Sequence, residues 1–352
     1  MVVAGFQQSS NAEVTKWSST LPAKSRFTAT DELADRVEFW RKIYSEYSTR
    51  QGVFHLTKNP HLILGEIDLT SIFANSVIND STRAKLANAK IKSERLRISR
   101  KLKIANPAQI RLQMGLKDRM QKAFFLSGRH LPMMEDIFRK HGLPIELTRL
   151  VFVESSFNER AQSKVGASGL WQIMPSVAKP YGYITSHYDK RNHPRYATEL
   201  AAKILKANYK KLGSWPLAIT AYNHGLTGIR RMKVKAKSNQ IEDLIDSERK
   251  TATWGFASKN FYACFLATLE VERRAHELFG KNLLQAAANS SKEYYLRRTV
   301  SKGRVLPWYN GSYELFKKMN PHLNWQVVMR SGRLPAGVPL HVPAKNYHLA
   351  IN

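Results

Sequence analysis

The sequence is poor in cysteine and in long apolar runs, and each scarcity excludes a class of protein. Its 352 residues include one cysteine, so no intramolecular disulfide can stabilise the fold. That residue, Cys264, lies in an apolar run, where a small buried hydrophobic side chain is a better interpretation than a nucleophile. No apolar stretch approaches the roughly 20 residues that a membrane helix needs, so we expect no transmembrane segment.

The first residues also lack the features of an export signal. The start Met1-Val2-Val3-Ala4-Gly5-Phe6 turns polar at once, without the basic residues and the apolar segment that a signal peptide requires. We therefore expect one of two situations: the export signal is missing from this numbering, or the protein stays inside the cell.

Acidic residues are scarce relative to basic ones. The chain has 27 Asp and Glu residues against 56 Lys and Arg residues, which gives a formal net charge of +29. Such an excess predicts strong attraction to a polyanion. Nucleic acid, acidic lipid head groups and a carboxylate-bearing cell wall all qualify at this point. Apolar residues make up 43% of the chain, which is enough for a buried core.

Composition and periodicity divide the chain into four regions. Residues 1–28 are rich in Ser, Thr and Gln without an apolar period, which predicts a flexible tail outside the core. Residues 29–129 read as a mostly helical basic region, and residues 130–283 as an all-α domain. Residues 284–352 carry short aromatic and β-branched runs separated by Gly and Pro, which predicts a small module of mixed structure. The predicted fold class is therefore mainly α.

The basic region contains four more specific predictions. Apolar residues from Asp31 onward recur at helical spacing, and residues 53–56 and 62–69 read as a hairpin. Residues 82–104 predict a basic amphipathic helix, whose basic side is either a solvated face or a docking face for an anionic surface. Residues 108–127 predict a further helix.

The first sequence string with chemical potential is Leu150-Val151-Phe152-Val153-Glu154-Ser155-Ser156. A carboxylate that directly follows four apolar residues is expected to be half-buried, and desolvation then raises its pKa. A carboxyl group that stays protonated near neutral pH can act as a general acid. The alternative is an exposed Glu at a helix end, which any single Glu allows.

Two further strings place polar residues in apolar contexts. In Gly166-Ala167-Ser168-Gly169-Leu170-Trp171-Gln172-Ile173-Met174, the glycines allow close approach of a ligand, and Gln172 offers both a donor and an acceptor. Trp171 fits a sugar-binding ring and a core residue equally well. In Ala218-Ile219-Thr220-Ala221-Tyr222-Asn223-His224-Gly225, the polar tips of Tyr222 and Asn223 are expected to face a cleft.

Together, Glu154-Ser155, then Gly169-Leu170-Trp171-Gln172-Ile173-Met174, then Ala221-Tyr222-Asn223 resemble the soluble lytic transglycosylase (SLT) domain, in particular the membrane-bound lytic murein transglycosylase D-like proteins. The resemblance covers roughly residues 130–280. It implies a goose-lysozyme-like helical fold in which Glu154 is the catalytic acid. It also implies that a set of side chains lines the glycan groove or orients the acid: Ser155, Gln172, Met174, Tyr222 and Asn223.

Two departures from the family pattern concern the edge of this groove. The residues after Tyr222-Asn223 are His224-Gly225-Leu226, where the family commonly has Ala-Gly-Pro or similar. In the last helix the chain has Ala257-Ser258-Lys259-Asn260-Phe261-Tyr262, where the family has an acidic Glu-Thr before Asn-Tyr-Val. The site should therefore lack one carboxylate and one tyrosyl hydroxyl, which bears on substrate preference more than on the reaction.

The resemblance implies a non-hydrolytic cleavage of the MurNAc-GlcNAc bond in peptidoglycan that leaves 1,6-anhydro-MurNAc ends. Glu154 would act first as acid and then as base, with the acetamido group of the sugar replacing a second carboxylate. Two alternatives remain from the residues alone. One is a goose-type muramidase in which Asp189 places a water molecule, and the other is a non-catalytic basic binding protein.

The remaining expectations concern partners and cofactors. Glycan strands are the expected partner and an anionic envelope surface is a second one, while nucleic acid is disfavoured because a binder has no need of a lone acid in an apolar setting. No cofactor or metal is called for, since none of the 11 histidines forms a His-x-x-x-His pair. The implied location is the periplasm or cell envelope, with secretion as a further option. The C-terminal module resembles the LysM-like modules behind such domains and is expected to bind glycan, and the alternative is a structural cap.

Overall fold

The computed structural model describes residues 14–246, 254–288 and 290–351, and it is mainly helical, which confirms the predicted fold class. The α-helices, in chain order, are α1 Asp31–Ser45, α2 Thr70–Ala74, α3 Asp80–Lys101, α4 Lys117–Ser127, α5 Leu131–Lys140, α6 Leu150–Ser155, α7 Pro175–Ala178, α8 Pro194–Leu212, α9 Trp215–His224, α10 Leu226–Ala236, α11 Ile241–Asp246, α12 Phe256–Arg273, α13 Ala275–Phe279, α14 Lys302–Val305, α15 Tyr313–Met319, α16 Trp325–Ser331 and α17 His348–Ile351.

The strands are short and form small antiparallel sheets. They are β1 Val14–Lys16, β2 Gln51–Leu56, β3 Ile63–Asp68, β4 Ile110–Met114, β5 Leu284–Ala286, β6 Ser291–Tyr295, β7 Val300–Ser301, β8 Arg333–Leu334 and β9 Pro339–Pro343. One sheet has the order β3-β2-β4, and the other sheets are the pairs β1-β5, β6-β9 and β7-β8.

Helix α1 forms where the apolar period predicted it. Asp31 and Glu32 occupy its first turn, where negative charge is favourable at a helix N-terminus. Its apolar face is buried, with Ile43 fully enclosed, and it packs against α12. Helix α12 thereby becomes the central element of the main core, which extends from Trp17 to Leu283.

The predicted hairpin is confirmed, and the helix predicted over residues 108–127 is wrong in its first half. Strands β2 and β3 pair antiparallel from Gln51↔Asp68 to His55↔Ile63, with a shift of register between Phe54 and His55. Residues 110–114 form the edge strand β4 on β2, and α4 begins only at Lys117. Pairing with β2 satisfies the backbone of this segment, and Ile110 is buried in a small core between the sheet and α3.

The prediction that residues 1–28 form a tail outside the core is wrong for residues 14–28, which lie within the described part of the chain. Trp17 and Phe27 are buried, and the Trp17 ring lies 4.9 Å from that of Phe124 in an edge-on arrangement. Strand β1 pairs with β5. The segment has no apolar period because it crosses the helical core in an extended form and inserts single aromatic rings. Residues 1–13 lie outside the described part.

Three clusters of buried residues form the interior. The main core fills the helical part of the chain, the second joins the sheet β3-β2-β4 to α3, and the third lies within the C-terminal segment from Leu296 to Ala350. The separate C-terminal core is compatible with a module after residue 283, although the four boundaries given above stay predictions. Among the described residues, no helix combines the length and apolar character that crossing a membrane requires.

Candidate active site

Helix α6 carries Glu154 in its last turn. The helix is held by its apolar residues, since Leu150 and Val151 are fully buried. It ends immediately after the acid, because Ser156 and Phe157 adopt left-handed backbone conformations with φ of 50° and 57°. Left-handed conformations are costly outside glycine, and such strain is common beside functional groups. The short helix therefore places Glu154 at an end, where its side chain keeps partial access to solvent.

The electrostatic environment of Glu154 is that of an isolated acid. Desolvation raises the pKa of its carboxyl group to about 8. Within the part of the chain that the structure describes, Glu154 has no hydrogen-bond or ion-pair partner that would favour the charged form. Its carboxyl group is therefore mostly protonated at neutral pH, as predicted for a general acid.

A buried ion-pair network fixes the start of α6. Arg149 is fully buried and donates to Glu272 through Nε at 2.8 Å and Nη2 at 2.7 Å, and to Glu135 through Nη1 at 2.6 Å. Arg149 also donates to the hydroxyl of Thr20 at 2.7 Å. Glu135 lies on α5 and Glu272 on α12. The network thus ties α6 to both helices and to the extended N-terminal segment.

Sequence reasoning missed this network, although a signal was present. Arg149 directly precedes the apolar run of α6, and Glu272 lies in an otherwise apolar face of α12. Buried charges are found where they are paired. An arginine and an acid that each interrupt a buried helical face therefore indicate a partnership, which the one-dimensional pattern could suggest but not assign.

The segment of residues 166–174, called the glycine-rich turn below, lies against α6 through Ser155. The Ser155 hydroxyl donates to the Leu170 carbonyl at 2.8 Å. Gly169 must be glycine, because its φ is +75° and an added Cβ would lie 2.3 Å from the Arg191 carbonyl oxygen. Gln172 is the next strained residue, with a φ of 45°, and its Nε2 donates to the carbonyls of Gly169 at 2.8 Å and Ala161 at 3.1 Å.

Trp171 is a core residue in this structure. Its ring is fully buried, it stacks on Phe138 at a centroid distance of 5.6 Å, and its Nε1 donates to Thr198 Oγ1 at 2.8 Å. Of the two interpretations of the sequence, the core role fits these contacts. Met174 follows as the residue that caps α7, and its side chain is partly buried.

Helix α9 brings Tyr222 and Asn223 to the same region. The Tyr222 hydroxyl donates to the Trp171 carbonyl at 2.8 Å. Burial raises the pKa of Tyr222, and the negative charge of Glu154 raises it further, so the two side chains lie near each other. Asn223 is exposed, and its Oδ1 accepts a hydrogen bond from the Ser258 hydroxyl at 2.9 Å. Ser258 lies in the first turn of α12, in the segment that departs from the family pattern.

Asp189 stabilises the glycine-rich turn through Arg191. The two form an ion pair, with Nη2 and Oδ2 at 2.6 Å. Arg191 donates with its other terminal nitrogen to the carbonyls of Gly166 and Ile173, both at 2.8 Å. The Asp189 carboxylate is thus occupied by a guanidinium, and it supports the loop that carries Gln172.

A second carboxylate, five residues after Glu154 and beyond the end of α6, has the opposite shift in pKa. Glu159 is bonded to His130 Nε2 at 2.7 Å. Burial opposes ionisation of Glu159, but the hydrogen bond and the charge of His130 outweigh burial and lower the pKa of its carboxyl group. Of the two carboxylates, only Glu154 stays protonated at neutral pH. Within the described ranges, no group of three or more His, Cys, Asp or Glu side chains could hold a metal ion.

Comparison with known proteins agrees with the site. Residues 135–245 match the family model described as "Transglycosylase SLT domain". This range contains Glu154, the glycine-rich turn and Tyr222-Asn223. It leaves out the N-terminal basic region, the whole of α12 and the C-terminal module.

Individual relatives match only part of the chain. The chain is 35% identical over 112 residues to membrane-bound lytic murein transglycosylase D of Escherichia coli strain K12. This match covers 30% of this chain and 25% of that protein. It is 37% identical over 106 residues to a putative tributyltin chloride resistance protein of Alteromonas sp. strain M-1, which covers 29% of this chain and 51% of that protein. The chain thus spans a quarter to a half of the length of these relatives.

Among solved structures, the comparison finds the 70 kDa soluble lytic transglycosylase of Escherichia coli, with 21% sequence identity and a TM-score of 0.32. The match covers 42% of this chain and 25% of the chain of that protein. The matching family model and the Escherichia coli relative both carry the name transglycosylase. Residues 135–245 of this chain are therefore similar to the transglycosylase SLT domain.

Proposed function

We propose that this protein is a lytic transglycosylase that cleaves the MurNAc-GlcNAc β-1,4 bond of peptidoglycan, with Glu154 as general acid and then general base. The observation that carries the proposal is the state of Glu154. Its carboxyl group is half-buried beside the glycine-rich turn, and desolvation raises its pKa to about 8. An acid with that pKa holds its proton at neutral pH and can donate it to a leaving oxygen.

The proposed reaction has two steps. The Glu154 carboxyl group protonates the glycosidic oxygen, the C1-O4 bond breaks, and the acetamido oxygen of MurNAc bonds to C1 as an oxazolinium ion. The Glu154 carboxylate then accepts the proton of the C6 hydroxyl group, and O6 displaces the acetamido oxygen at C1. The product is a 1,6-anhydro ring, Glu154 is protonated again, and no water is consumed. Substrate assistance of this kind removes the need for a second carboxylate.

The neighbouring polar side chains supply two kinds of support. Ser155 and Tyr222 are positioning residues, since their hydroxyl groups donate to main-chain carbonyls of the glycine-rich turn. Gln172 and Asn223 contact glycan. The Gln172 NH₂ group donates to two main-chain carbonyls, which leaves Oε1 as an acceptor for glycan. The Asn223 Oδ1 accepts a hydrogen bond from Ser258, which leaves its NH₂ group as a donor for glycan. Met174 provides apolar surface at the groove.

The muramidase alternative needs a second group to place a water molecule. Asp189 was the candidate, but its carboxylate is engaged by Arg191 through three close contacts, from Nε at 3.0 and 3.2 Å and from Nη2 at 2.6 Å. Glu159 is engaged by His130. Neither acid is free to activate water, which favours the non-hydrolytic route. The non-catalytic alternative gives no reason for an unpartnered acid of raised pKa.

The partners and location follow from the proposed substrate. Peptidoglycan glycan strands are the substrate, and the cell envelope is the place of action, as the name of the Escherichia coli relative suggests. The exposed lysines of α3, among them Lys85 and Lys92, would hold the protein on an anionic envelope surface. Retention on sacculi should therefore weaken as salt rises, because screening shortens the range of the attraction to about 8 Å at 0.15 M. Retention that is independent of salt would remove this part of the proposal.

The function is tested by the mass of its products. Purified sacculi are incubated with the protein, and the soluble muropeptides are analysed by mass spectrometry. Ends of the anhydro type support the transglycosylase, while ends heavier by one water support the muramidase. Absence of soluble products would favour the binding protein.

A further inference from the structure

A cavity of about 480 Å³ lies outside the segment that matches the SLT family, between α3 and the edge strand β4. It is lined by Thr57, Arg95, Ala108, Ile110, Arg111 and Leu112. Two of these six side chains are arginines and none is acidic. The lining is otherwise apolar apart from one threonine, so the cavity combines positive charge with an apolar wall.

Neither arginine has an anionic partner among the residues that the structure describes. Arg95 Nε is buried without a hydrogen-bond partner, and within the described ranges neither Arg95 nor Arg111 forms an ion pair. Two other arginines of α3 do have acidic partners. Arg83 forms an ion pair with Asp80, and Arg97 forms one with Glu94, both at 2.6 Å. Leaving a buried guanidinium N-H unsatisfied costs free energy, whereas a carboxylate can accept from two of its N-H groups at once.

The cavity also offers main-chain groups for a peptide. In the pairing of β4 with β2, Gly115 N donates to Gln51 O at 2.8 Å, and His55 lies opposite Arg111. Antiparallel pairing alternates, so Leu112 points its N-H and C=O away from β2, at the open edge of the sheet. Leu112 lines the cavity. A peptide group placed there would find a donor and an acceptor beside the arginines.

The cavity is connected to the candidate active site through the first turn of α12. The Arg111 guanidinium carbon lies 4.3 Å above the ring centroid of Phe256, the first residue of that helix. Ser258, two residues further, donates to Asn223 beside Tyr222. Arg111 of the cavity and Asn223 of the candidate active site therefore each contact the first turn of α12.

We propose that this cavity binds the peptide stem of peptidoglycan through the free carboxylates of the stem. The inference rests on the proposed function, because the substrate of that function carries short peptides made of alanine residues and carboxylate-bearing residues. The carboxylates meet Arg95 and Arg111, the alanine methyl groups meet Ala108, Ile110 and Leu112, and a peptide group meets the edge of β4. Phosphate polymers are bound through many Lys and Arg contacts, whereas only two basic side chains line this cavity.

The proposal is tested by fluorescence anisotropy with two labelled probes, using the full chain. One probe is a synthetic tetrapeptide stem with free carboxylates, and the other is the same peptide with its carboxylates amidated. The free acid should bind, with affinity reduced about tenfold or more in Arg95→Gln and in Arg111→Gln, because each variant loses charge-assisted hydrogen bonds. The amidated peptide should bind wild type at least about tenfold more weakly than the free acid.

The matched control is Arg100→Gln, which removes the same charge from an exposed position of the same helix. It should change binding less than twofold. Ala108→Phe fills the cavity without removing an arginine, so it tests the site even where an arginine variant folds poorly, and it should also abolish binding. Equal binding of the two probes, equal affinities of Arg95→Gln and Arg100→Gln, or undiminished binding to Ala108→Phe would overturn the proposal.

The peptide result and the function result are independent. Peptide binding is measured without cleavage, and Glu154→Gln should bind the stem as wild type does. Loss of stem binding with intact anhydro products would reject only the cavity assignment. Stem binding without any Glu154-dependent product would reject the proposed reaction and leave a peptide-binding protein.

Discussion

The hydroxyl group of Tyr222 donates a hydrogen bond of 2.8 Å to the main-chain carbonyl of Trp171. Because the Trp171 ring is locked in the core against Phe138, this bond fixes α9 to the turn that carries Gln172. Burial and the nearby Glu154 charge both raise the pKa of Tyr222, so the phenol stays neutral and remains a donor. Tyr222 therefore joins the acid, the glycine-rich turn and α9 into one unit.

Replacing Tyr222 by Phe removes this link and keeps the ring. We expect a loss of about 1 kcal/mol in the free energy of unfolding, since one hydrogen bond is lost and the Trp171 carbonyl is left unsatisfied. The rate constant for cleavage should fall about tenfold or more, because misplacement of the groove acts on the chemical step. Urea unfolding and rates on sacculi measure the two effects. Tyr181→Phe, at a side chain that is half exposed, is the control. A rate equal to that of the control would show that the link has no catalytic role.

The pH dependence of cleavage should report the proton on Glu154. The acid form is needed for the first step, and its pKa is raised to about 8. The rate on dilute glycan should therefore stay high below pH 8 and fall as pH rises through that value. A profile that instead falls between pH 4 and 5 would mean that Glu154 titrates as an ordinary carboxyl group.

The same raised pKa makes Glu154 a destabilising residue at neutral pH. The unfolded chain ionises Glu154 near pH 4.5, whereas the folded protein does so only near pH 8, so folding stability is lost as pH rises from 4.5 to 8. Glu154→Gln should raise the free energy of unfolding by about 1 to 3 kcal/mol at pH 7 and leave it unchanged at pH 4. Urea titrations at both pH values check this. A variant that is less stable at pH 7 would contradict the assignment.

The three charged side chains of the Arg149 network should stabilise the folded protein together, so that the loss of one leaves the others destabilising. Arg149→Met leaves Glu135 and Glu272 buried without a cation, which should cost about 3 to 5 kcal/mol. Adding Glu135→Gln and Glu272→Gln to the same variant should recover most of this loss, because the uncompensated charges are removed. Thermal unfolding of the single and triple variants is the measurement. A triple variant as unstable as the single one would show that packing, and not charge, sets the role of Arg149.

Three buried histidines make the C-terminal module sensitive to acid. His193 of the helical part stacks on His341 at 3.7 Å, and His322 lies 5.1 Å from His193. Burial lowers the pKa of all three, to about 3 for His341 and about 4 for His322. Lys190 and Arg195 add positive charge, while Glu293, 3.9 Å from His341 Nε2, opposes them.

The unfolded chain protonates these histidines near pH 6.5, so stability is lost as pH falls from 6.5 towards 4. Between pH 7 and pH 5 we expect a loss of about 2 kcal/mol for each histidine that stays neutral. His341→Phe keeps an aromatic ring in the stack and should show a smaller loss, whereas His348→Phe, at an exposed position, should behave as wild type. Identical pH dependence in all three proteins would contradict this account.

The sequence pattern indicated the unusual residues of the candidate site but not the contacts that hold them in place. Glu154 was identified because a carboxylate followed an apolar run, and its raised pKa agrees with that expectation. Gln172 and Tyr222 lie where their strings suggested, but much of their bonding capacity is used inside the protein. The pattern identifies which residues are unusual, but it does not distinguish a ligand contact from a structural one. Their assignment to glycan binding stays a prediction.

What escaped prediction depends on contacts between distant parts of the chain. Trp17 and Phe27 are buried although their segment has no apolar period, because a single extended segment can insert rings into a core made elsewhere. Residues 110–114 form a strand because β2 offers an edge to pair with, which no local propensity encodes. The pairing of Arg149 with Glu272 joins α6 to α12 in the same way.

The most direct test of the account is the product spectrum of wild type and Glu154→Gln on purified sacculi, measured by mass spectrometry. The account predicts muropeptides with anhydro-MurNAc ends from wild type, and a yield lower by about a hundredfold or more from a variant that is folded and at least as stable. Anhydro products from Glu154→Gln at the wild-type rate, or wild-type products with a reducing end heavier by one water, would contradict it.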